Sequence, residues 1–203
     1  IRSGESLEMA HKIRTIAFDK TGTLTKGEPE VTDIEIRETG NVKREEVLRV
    51  AASLERGSEH PLGEAIVTSA KAEGLALSEV EGFEAVPGRG VRGTADGRTV
   101  LHGNAKLMQE KGIRLGDLGD KAEKFAGLGE TPMFVAVDGE AVGVIAVADT
   151  LKDHSAEAIR ALQRLGVEVV MITGDNRRTA VAIAQRAGIG RILAEVLPDQ
   201  KAE

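Results

Sequence analysis

Asp19 stands at the end of an apolar run and is followed by a glycine and several threonines. Residues 13–18, Ile-Arg-Thr-Ile-Ala-Phe, are predicted to form a buried strand. In an open parallel sheet, ligands bind beyond the carboxyl ends of the strands, where Asp19 would lie. A carboxylate nucleophile there needs backbone donors and a cation to bring a phosphate close. Gly22 would let the backbone approach, and Thr21 and Thr23 offer hydroxyls, although a lone aspartate here more often only caps a turn.

A second polar loop follows another predicted strand. Residues 167–172 are apolar and β-branched, and the string Thr-Gly-Asp-Asn comes directly after them. If this strand belongs to the same parallel sheet, its loop reaches the same edge as Asp19. The Thr173 hydroxyl and the Gly174 amide could then hold phosphoryl oxygens. Taken alone, the same string is also a common strand–helix turn.

The C-terminal third alternates predicted strands and helices. Helical periodicity covers residues 154–165, which end at Gly166, and residues 177–187, which end at Gly188. Residues 192–193 are predicted to form a further short strand. This alternation favours a parallel sheet of Rossmann-like type.

The middle of the chain has a different pattern. Residues 43–56 and 62–73 are predicted to be helices, and the Asp-Gly pairs at 96–97 and 138–139 predict antiparallel hairpins. The fold class is therefore predicted to be α/β, with an α+β domain inserted into a parallel-sheet core. The predicted boundaries are residues 1–33 and 147–203 for the discontinuous core and residues 34–146 for the insertion.

Residues 19–25, Asp-Lys-Thr-Gly-Thr-Leu-Thr, resemble the phosphorylation motif of the P-type ATPases, and a seven-residue match is very specific. That family has a haloacid-dehalogenase-like core, so the resemblance implies that Asp19 takes a phosphoryl group from ATP. Phosphatases of the same superfamily carry a second aspartate two positions after the nucleophile, where this chain has Thr21. Without a nearby base to activate water, an aspartyl phosphate is expected to persist. The phosphate-loop residues implied here are Lys20, Gly22 and Thr23.

Two later segments complete the implied phosphorylation site. The loop with Thr173, Gly174 and Asp175 resembles the second conserved loop of the family. Lys201, in Leu-Pro-Asp-Gln-Lys, matches the lysine that neutralises the phosphoryl group. Residues 149–152 resemble the return hinge of the inserted domain, and the outgoing hinge is expected near residues 26–33.

Magnesium is implied as the metal cofactor, with the Asp19 carboxylate and the Thr21 backbone carbonyl as its predicted ligands. The acidic segment of the family that supplies a further magnesium-binding aspartate should follow Lys201, but the chain ends first. The chain is therefore expected to be a piece of a longer protein. This piece should bind nucleotide and phosphorylate itself poorly.

Residues 58–62, Ser-Glu-His-Pro-Leu, are a second strong match, because they resemble the Ser-Glu-His-Pro motif of the heavy-metal-transporting subgroup. In that subgroup the histidine and a glutamate five residues before it contact adenine, which implies His60 and Glu55 here. A neutral imidazole can stack on a purine or hydrogen-bond to it, and a carboxylate can accept from the exocyclic amine.

Residues 88–93 have the pattern G-x-G-x-x-G, which alone is a weak signal. A dinucleotide site would need a helix after it, whereas a hairpin is predicted there, and no kinase motif follows. The resemblance implies that the backbone at Gly88 and Gly90 approaches the phosphates. Gly103 and Asn104 resemble the Gly-Asn element beside the same pocket, although Asn104 could equally be only the cap of a helix.

Composition excludes several classes of function. The 203 residues carry a net charge of −6 and no basic patch, so no nucleic-acid partner is expected. There is no Cys, which rules out disulfides and thiolate metal sites, and the four histidines have no ligand spacing. The longest apolar stretch, residues 141–148, is far too short for a membrane span, which takes about 20 residues.

The resemblance implies the cytoplasmic ATP-handling part of an integral membrane pump, whose partners are ATP and the pump's own membrane and actuator domains. Copper is the expected cargo, ahead of zinc, cadmium or silver, and it is not expected to bind to this part of the pump. Export is the expected direction. A haloacid-dehalogenase-like phosphatase and a nucleotide-binding module that never phosphorylates are the alternatives.

Overall fold

The computed structural model describes residues 12–38 and 42–196. Lys201, predicted to neutralise the phosphoryl group, lies outside the described residues. The chain divides into two compact units. The first contains the described residues up to Gly27 and from Asp149 onwards, and the second is Glu28–Ala148.

The strands alternate with helices in the order that the sequence patterns predict for the C-terminal third. The strands are β1 (Thr15–Asp19), β2 (Thr25–Ile36), β3 (Val80–Val86), β4 (Gly90–Ala95), β5 (Arg98–Gly103), β6 (Thr131–Val137), β7 (Glu140–Leu151), β8 (Glu168–Ile172) and β9 (Arg191–Leu193). The helices are α1 (Arg44–Glu55), α2 (Pro61–Ala72), α3 (Ala105–Glu110), α4 (Asp117–Gly127), α5 (Ser155–Arg164) and α6 (Arg177–Ala187). The segments predicted as hinges belong to β2 and β7, so the chain passes between the units on strands and not on loops.

The first unit is built on a parallel sheet. Within the described residues its strand order is β1-β8-β9, and both pairings are parallel. Helix α6 is capped at its start by Asn176, whose side chain accepts a hydrogen bond from the Thr179 amide. It is followed by Gly188, whose φ of 77° is the left-handed conformation typical of a helix C-terminus. Apolar side chains from α5, α6 and β8, including Ile159, Ile183 and Met171, form the core of this unit.

The second unit contains an antiparallel sheet with the order β2-β7-β6-β5-β4-β3 in the described residues. Successive side chains of a strand point to opposite faces, so each strand contributes to two cores. One core contains Val100 of β5 with apolar residues of α1 and α2, and the other contains Leu101 with residues of α3 and α4. Since apolar side chains pack against both faces, β7 is buried from Ala141 to Ala148.

Two local features show how the sequence shapes this sheet. Asp96 and Gly97 have φ of 52° and 73°, and Asp138 and Gly139 have φ of 50° and 84°. Positive φ at both central residues is typical of the tight hairpin turns that the Asp-Gly pairs predict.

Helix α4 was not predicted, although its buried residues Leu118, Ala122 and Phe125 share one helical face.

Candidate functional site

Asp19 is placed by the pairing of β1 with β8. It is the last residue of β1 and lies opposite Ile172, the last residue of β8. The loops that follow the two strands therefore begin side by side at one edge of the sheet. Thr173 is buried, its amide donates to the Leu193 carbonyl at 2.9 Å, and its Oγ1 accepts from the Asp175 amide at 3.1 Å. Gly174 is exposed between them.

The loop after Asp19 makes a tight turn. Thr21 has φ −75° and ψ 125°, and Gly22 has φ 73° and ψ −10°, which are the angles of a type II β-turn. Such a turn needs a residue at its third position that tolerates positive φ, and glycine meets that need without strain. Thr21, Gly22 and Thr23 are exposed to solvent. Lys152 donates from Nζ to the Gly22 carbonyl at 2.5 Å, so a cationic side chain contacts this turn.

Lys20 lies beneath the turn and not on its surface. Its Nζ is 2.7 Å from Asp175 Oδ2 and 3.6 Å from Asp149 Oδ2, and its side chain is only 8% exposed. The resemblance implied that Lys20 and Asp175 belong to the phosphate loops. In the structure the two form an ion pair with each other, which ties the loop after β1 to the loop after β8.

Asp149 is a site residue that sequence reasoning missed, because it was assigned only to the hinge. Its Oδ2 accepts from Thr25 Oγ1 at 2.5 Å, and its Oδ1 accepts from the Gly27 amide at 2.9 Å. With Lys20 it therefore fixes both the start and the end of the loop after Asp19. The available signal was the position of Asp149 directly after the apolar stretch 141–148, the same kind of signal that singled out Asp19.

The oxygen donors near Asp19 fit a magnesium ion. Among the described residues, no group of three or more His, Cys, Asp or Glu side chains is placed to hold a metal. Magnesium does not need such a group, since it usually binds one or two carboxylates together with waters and substrate phosphates. The Asp19 carboxylate and the Thr21 carbonyl are hard oxygen donors of the required kind.

The second unit contains a cavity of about 370 Å³. Such a volume is in the range of small-molecule sites. It brings together five of the six residues that the sequence predicts to bind nucleotide. Those five are Glu55, His60, Gly88, Gly90 and Asn104.

His60 is held in place by the start of α2. It is the residue before Pro61, and its Nδ1 accepts from the Leu62 amide at 3.2 Å while its own amide donates to Ser58 Oγ at 3.2 Å. Proline is well suited to the first helical position, because it has no amide hydrogen to satisfy. Nδ1 acts as an acceptor, so the ring proton lies on Nε2. The ring itself is exposed at the cavity.

Glu55, the last residue of α1, is 3% exposed, and its Oε1 is 2.7 Å from Nδ1 of His102. Burial raises the pKa of Glu55, but hydrogen bonds from His102 and Ser58 and the nearby His60 lower it, and the net pKa is below its ordinary value. Glu55 is therefore an ionised acceptor at the cavity. No sequence pattern linked His102 to Glu55.

Asn104 serves both roles that the sequence left open. Its Oδ1 accepts from the Leu107 amide at 3.1 Å, which caps α3. Its Nδ2 donates to the Gly88 carbonyl at 3.0 Å, and its backbone amide donates to the Arg89 carbonyl at 2.9 Å. The cap residue therefore also holds the glycine-containing loop.

Gly103 does not line the cavity, unlike the other predicted nucleotide-binding residues. It lies opposite Gly90 in the pairing of β4 with β5. A Cβ atom on Gly103 would be 2.3 Å from the Arg89 carbonyl oxygen and 2.9 Å from Gly90 Cα. In this structure Gly103 is needed because two backbones approach closely.

The remaining lining is largely apolar and was not predicted. Leu62, Val91, Pro132 and Met133 contribute to it from α2, β4 and β6. Apolar walls with a few polar groups suit a flat heteroaromatic ring. The sequence offered only the alternation of β6, which does not distinguish a cavity wall from ordinary core.

Comparison with known proteins shows the family to which this chain belongs. A family model described as haloacid dehalogenase-like hydrolase matches residues 13–203. The chain therefore belongs to the haloacid dehalogenase-like hydrolases, which confirms the predicted fold class.

The similar proteins are ion pumps. A copper-exporting P-type ATPase of Bacillus subtilis is 48% identical over 201 residues, which cover 99% of this chain and 25% of that protein. A probable copper-transporting ATPase of Synechococcus elongatus is 49% identical over 202 residues, or 100% of this chain and 27% of that protein. The crystal structure of a zinc-transporting PIB-type ATPase in the E2.Pi state matches with a TM-score of 0.89 and 36% identity, covering 99% of this chain and 32% of that chain. The resemblance to P-type ATPases is thereby confirmed.

The chain spans about a quarter of the length of these relatives. No helix in the described part of the chain has both the length and the apolar character that crossing a membrane requires.

Proposed function

We propose that this chain is the ATP-binding and phosphorylation part of a copper-transporting P-type ATPase, in which Asp19 takes the phosphoryl group from ATP. The observation that carries the proposal is the common edge of β1 and β8, where the loop after Asp19 and the loop with Thr173 begin side by side and are joined by the Lys20–Asp175 ion pair. The 48% sequence identity to a copper-exporting P-type ATPase supports both the class of pump and copper as its cargo.

The chemistry is an in-line displacement at the terminal phosphorus of ATP. A carboxylate oxygen of Asp19 forms a bond to phosphorus, the bond from phosphorus to the bridging oxygen breaks, and ADP leaves. The Thr173 hydroxyl, the Gly174 amide and the exposed turn at Gly22 are the groups assigned to the phosphoryl oxygens. Lys201, from outside the described residues, is assigned to neutralise them.

One feature supports a lasting aspartyl phosphate. Thr21 stands where a phosphatase of this superfamily has its general base, and a threonine hydroxyl does not deprotonate water. Hydrolysis is therefore expected to be slow at Asp19 in this chain.

Magnesium would be held by the Asp19 carboxylate and the Thr21 carbonyl. When bound, it supplies positive charge against the phosphate oxygens. Because the described residues offer it few protein ligands, self-phosphorylation by this chain alone is expected to be slow.

The cavity of the second unit is assigned to the adenosine part of ATP. Glu55 would accept from the exocyclic amine of adenine, His60 would contact the ring, and the backbone at Gly88 and Gly90 would approach the phosphates. The intact pump is proposed to lie in a membrane with this part in the cytoplasm, to act with its own membrane and actuator domains, and to export copper bound outside this chain.

The first test is a titration with a non-hydrolysable ATP analogue, followed by amide NMR. Shifts are expected at Glu55, His60, Gly88 and Gly90, weaker with the GTP analogue and lost in His60→Ala. No shifts at these residues, or equal shifts with both nucleotides, would contradict the adenine assignment.

The second test is labelling by ATP with a radioactive terminal phosphate, with Asp19→Asn as the isosteric control. A slow, acid-stable label that hydroxylamine removes is expected in the wild type and not in the variant. Equal labelling of the two proteins, or steady hydrolysis of small sugar phosphates, would overturn the proposal.

A further inference from the structure

A buried polar contact joins the nucleotide cavity to a side chain outside it. Glu55 lines the cavity, whereas His102 does not, and the Nδ1–Oε1 distance between them is 2.7 Å. The side chains are 3% and 0% exposed, respectively. The two residues are 47 positions apart in the sequence, on α1 and β5.

The surroundings of His102 are apolar. On the sheet it lies opposite Val91 on one side and Val135 on the other. Within the described part of the chain, its Nε2 is buried and has no hydrogen-bond partner. Burying an imidazole with one nitrogen unpaired is unfavourable, and an aliphatic side chain would suit this position better. Core packing therefore gives no reason for a histidine, while the contact with Glu55 gives one.

The second carboxylate oxygen of Glu55 faces another lining residue. A Cβ atom on Gly63 would come within 2.2 Å of Glu55 Oε2, so the carboxylate lies directly against the bare backbone of Gly63. Oε1 is engaged by His102, and the carboxylate is oriented with Oε2 toward Gly63 on the cavity side. Held by His102 at Oε1 and hydrogen-bonded by Ser58 as well, the carboxylate loses the rotational freedom that it would otherwise have.

We propose that His102 is a positioning residue for base recognition: its Nδ1–H holds the Glu55 carboxylate ionised and oriented, and the preference of the cavity for adenine over guanine depends on this contact. The inference rests on the proposed function, because it deepens the role of the same cavity. An ionised carboxylate only accepts hydrogen bonds, so it pairs with the amino group of adenine and repels the carbonyl oxygen that guanine has at the same place. A protonated Glu55 could donate to that oxygen, and the discrimination would be lost.

The charge state of Glu55 depends on few neighbours. Burial alone raises the pKa of Glu55. The groups that oppose this effect are His102, which lies on β5, and Ser58 and His60, which lie in the segment before α2. Of these, His102 makes the largest opposing contribution through its hydrogen bond. Removing His102 is therefore expected to raise the pKa of Glu55.

The experiment uses the 203-residue chain with three substitutions. His102→Leu removes the donor, and His102→Asn keeps an N–H at the same distance from the backbone as Nδ1. Val100→Ala, in the same strand and the same buried core as α1, is the matched control for a packing defect that does not touch Glu55. The measured quantities are the dissociation constants of non-hydrolysable ATP and GTP analogues and the titration of the Glu55 carboxyl carbon by NMR.

The expected result is a fall of roughly tenfold in the ATP-to-GTP preference of His102→Leu, with His102→Asn and Val100→Ala near the wild type. The titration midpoint of Glu55 should be higher in His102→Leu. A His102→Leu variant with the wild-type preference would overturn the inference and leave the proposed function standing. If the wild type shows no adenine preference, the adenine assignment of the cavity fails and this inference fails with it, whereas the proposed phosphorylation of Asp19 is tested separately by the labelling experiment.

Discussion

Gly103→Ala is expected to damage both the fold and the proposed nucleotide cavity of the second unit. The added Cβ would lie 2.3 Å from the Arg89 carbonyl oxygen, 2.8 Å from Leu107 Cδ2 and 2.9 Å from Gly90 Cα. Two of these three atoms are backbone atoms, one of Gly90 in β4 and one of Arg89 in the turn just before it, so rotation of a side chain cannot relieve the overlap. Strands β4 and β5 must separate instead at the pair Gly90–Gly103.

The size of the expected loss in folding stability follows from this geometry. Overpacking typically costs about 1–3 kcal/mol, and contact with backbone atoms places this case near 3 kcal/mol. For a domain of this size, that loss lowers the melting temperature by roughly 6–12 °C. Asn104 donates from its amide to the same Arg89 carbonyl at 2.9 Å, so the glycine-containing loop should move with it. Affinity for the ATP analogue should fall about tenfold, the equivalent of about 1.4 kcal/mol.

Gly127→Ala is the matched control. Gly127 is the last residue of α4, has nothing within 4 Å of an added Cβ and does not line the cavity. Alanine there should stabilise the chain by about 0.5–1 kcal/mol. Urea unfolding followed by far-UV circular dichroism measures both variants, since the chain has no Trp or Tyr for fluorescence. If Gly103→Ala unfolded at the same urea concentration as the wild type, the close-approach reasoning would be refuted.

Three further outcomes are expected. Lys20→Met should destabilise the first unit by about 2–3 kcal/mol in urea unfolding, because it leaves Asp175 and Asp149 without their buried cation. This loss is smaller than for a fully buried ion pair, because the Asp175 side chain is 34% exposed. An unchanged unfolding midpoint would contradict the prediction. Asn104→Ala should cost about 1 kcal/mol and weaken ATP-analogue binding, whereas Asn104→Asp, which keeps the cap oxygen, should retain the stability and lose only the bond to the Gly88 loop. The pKa of Glu55 is lowered from 4.5 in the folded chain, so the ionised form of Glu55 stabilises the fold above that pH. The difference in stability between the wild type and Glu55→Gln should therefore shrink as the pH falls through the still lower folded-state pKa. A difference in urea unfolding that stays constant with pH would exclude this linkage.

Much of the proposed phosphorylation site follows from the sequence alone. Parallel strands share a carboxyl edge, so the sequence predicts that polar loops after two strands of one sheet lie at the same edge, and the pairing of β1 with β8 makes the loops after Asp19 and Ile172 begin side by side. The sequence predicted that Gly22 would let the backbone approach a phosphate, and the structure shows that Gly22 also adopts a φ of 73°, which would strain most other residues. Rules of this kind can be applied to a sequence because they depend on backbone angles and strand direction, which have the same consequences in any fold.

Tertiary structure alone decided which side chains face each other. The contact of Glu55 with His102 and the burial of Lys20 between two carboxylates join residues far apart in the sequence. Each depends on strand register and on the rotamers that close packing allows, and a shift of one residue in register would turn every side chain of a strand to the other face. The sequence determined which groups were available for chemistry, and packing determined which of them are buried, paired and oriented, because burial and hydrogen bonding are properties of surroundings that only the folded chain creates.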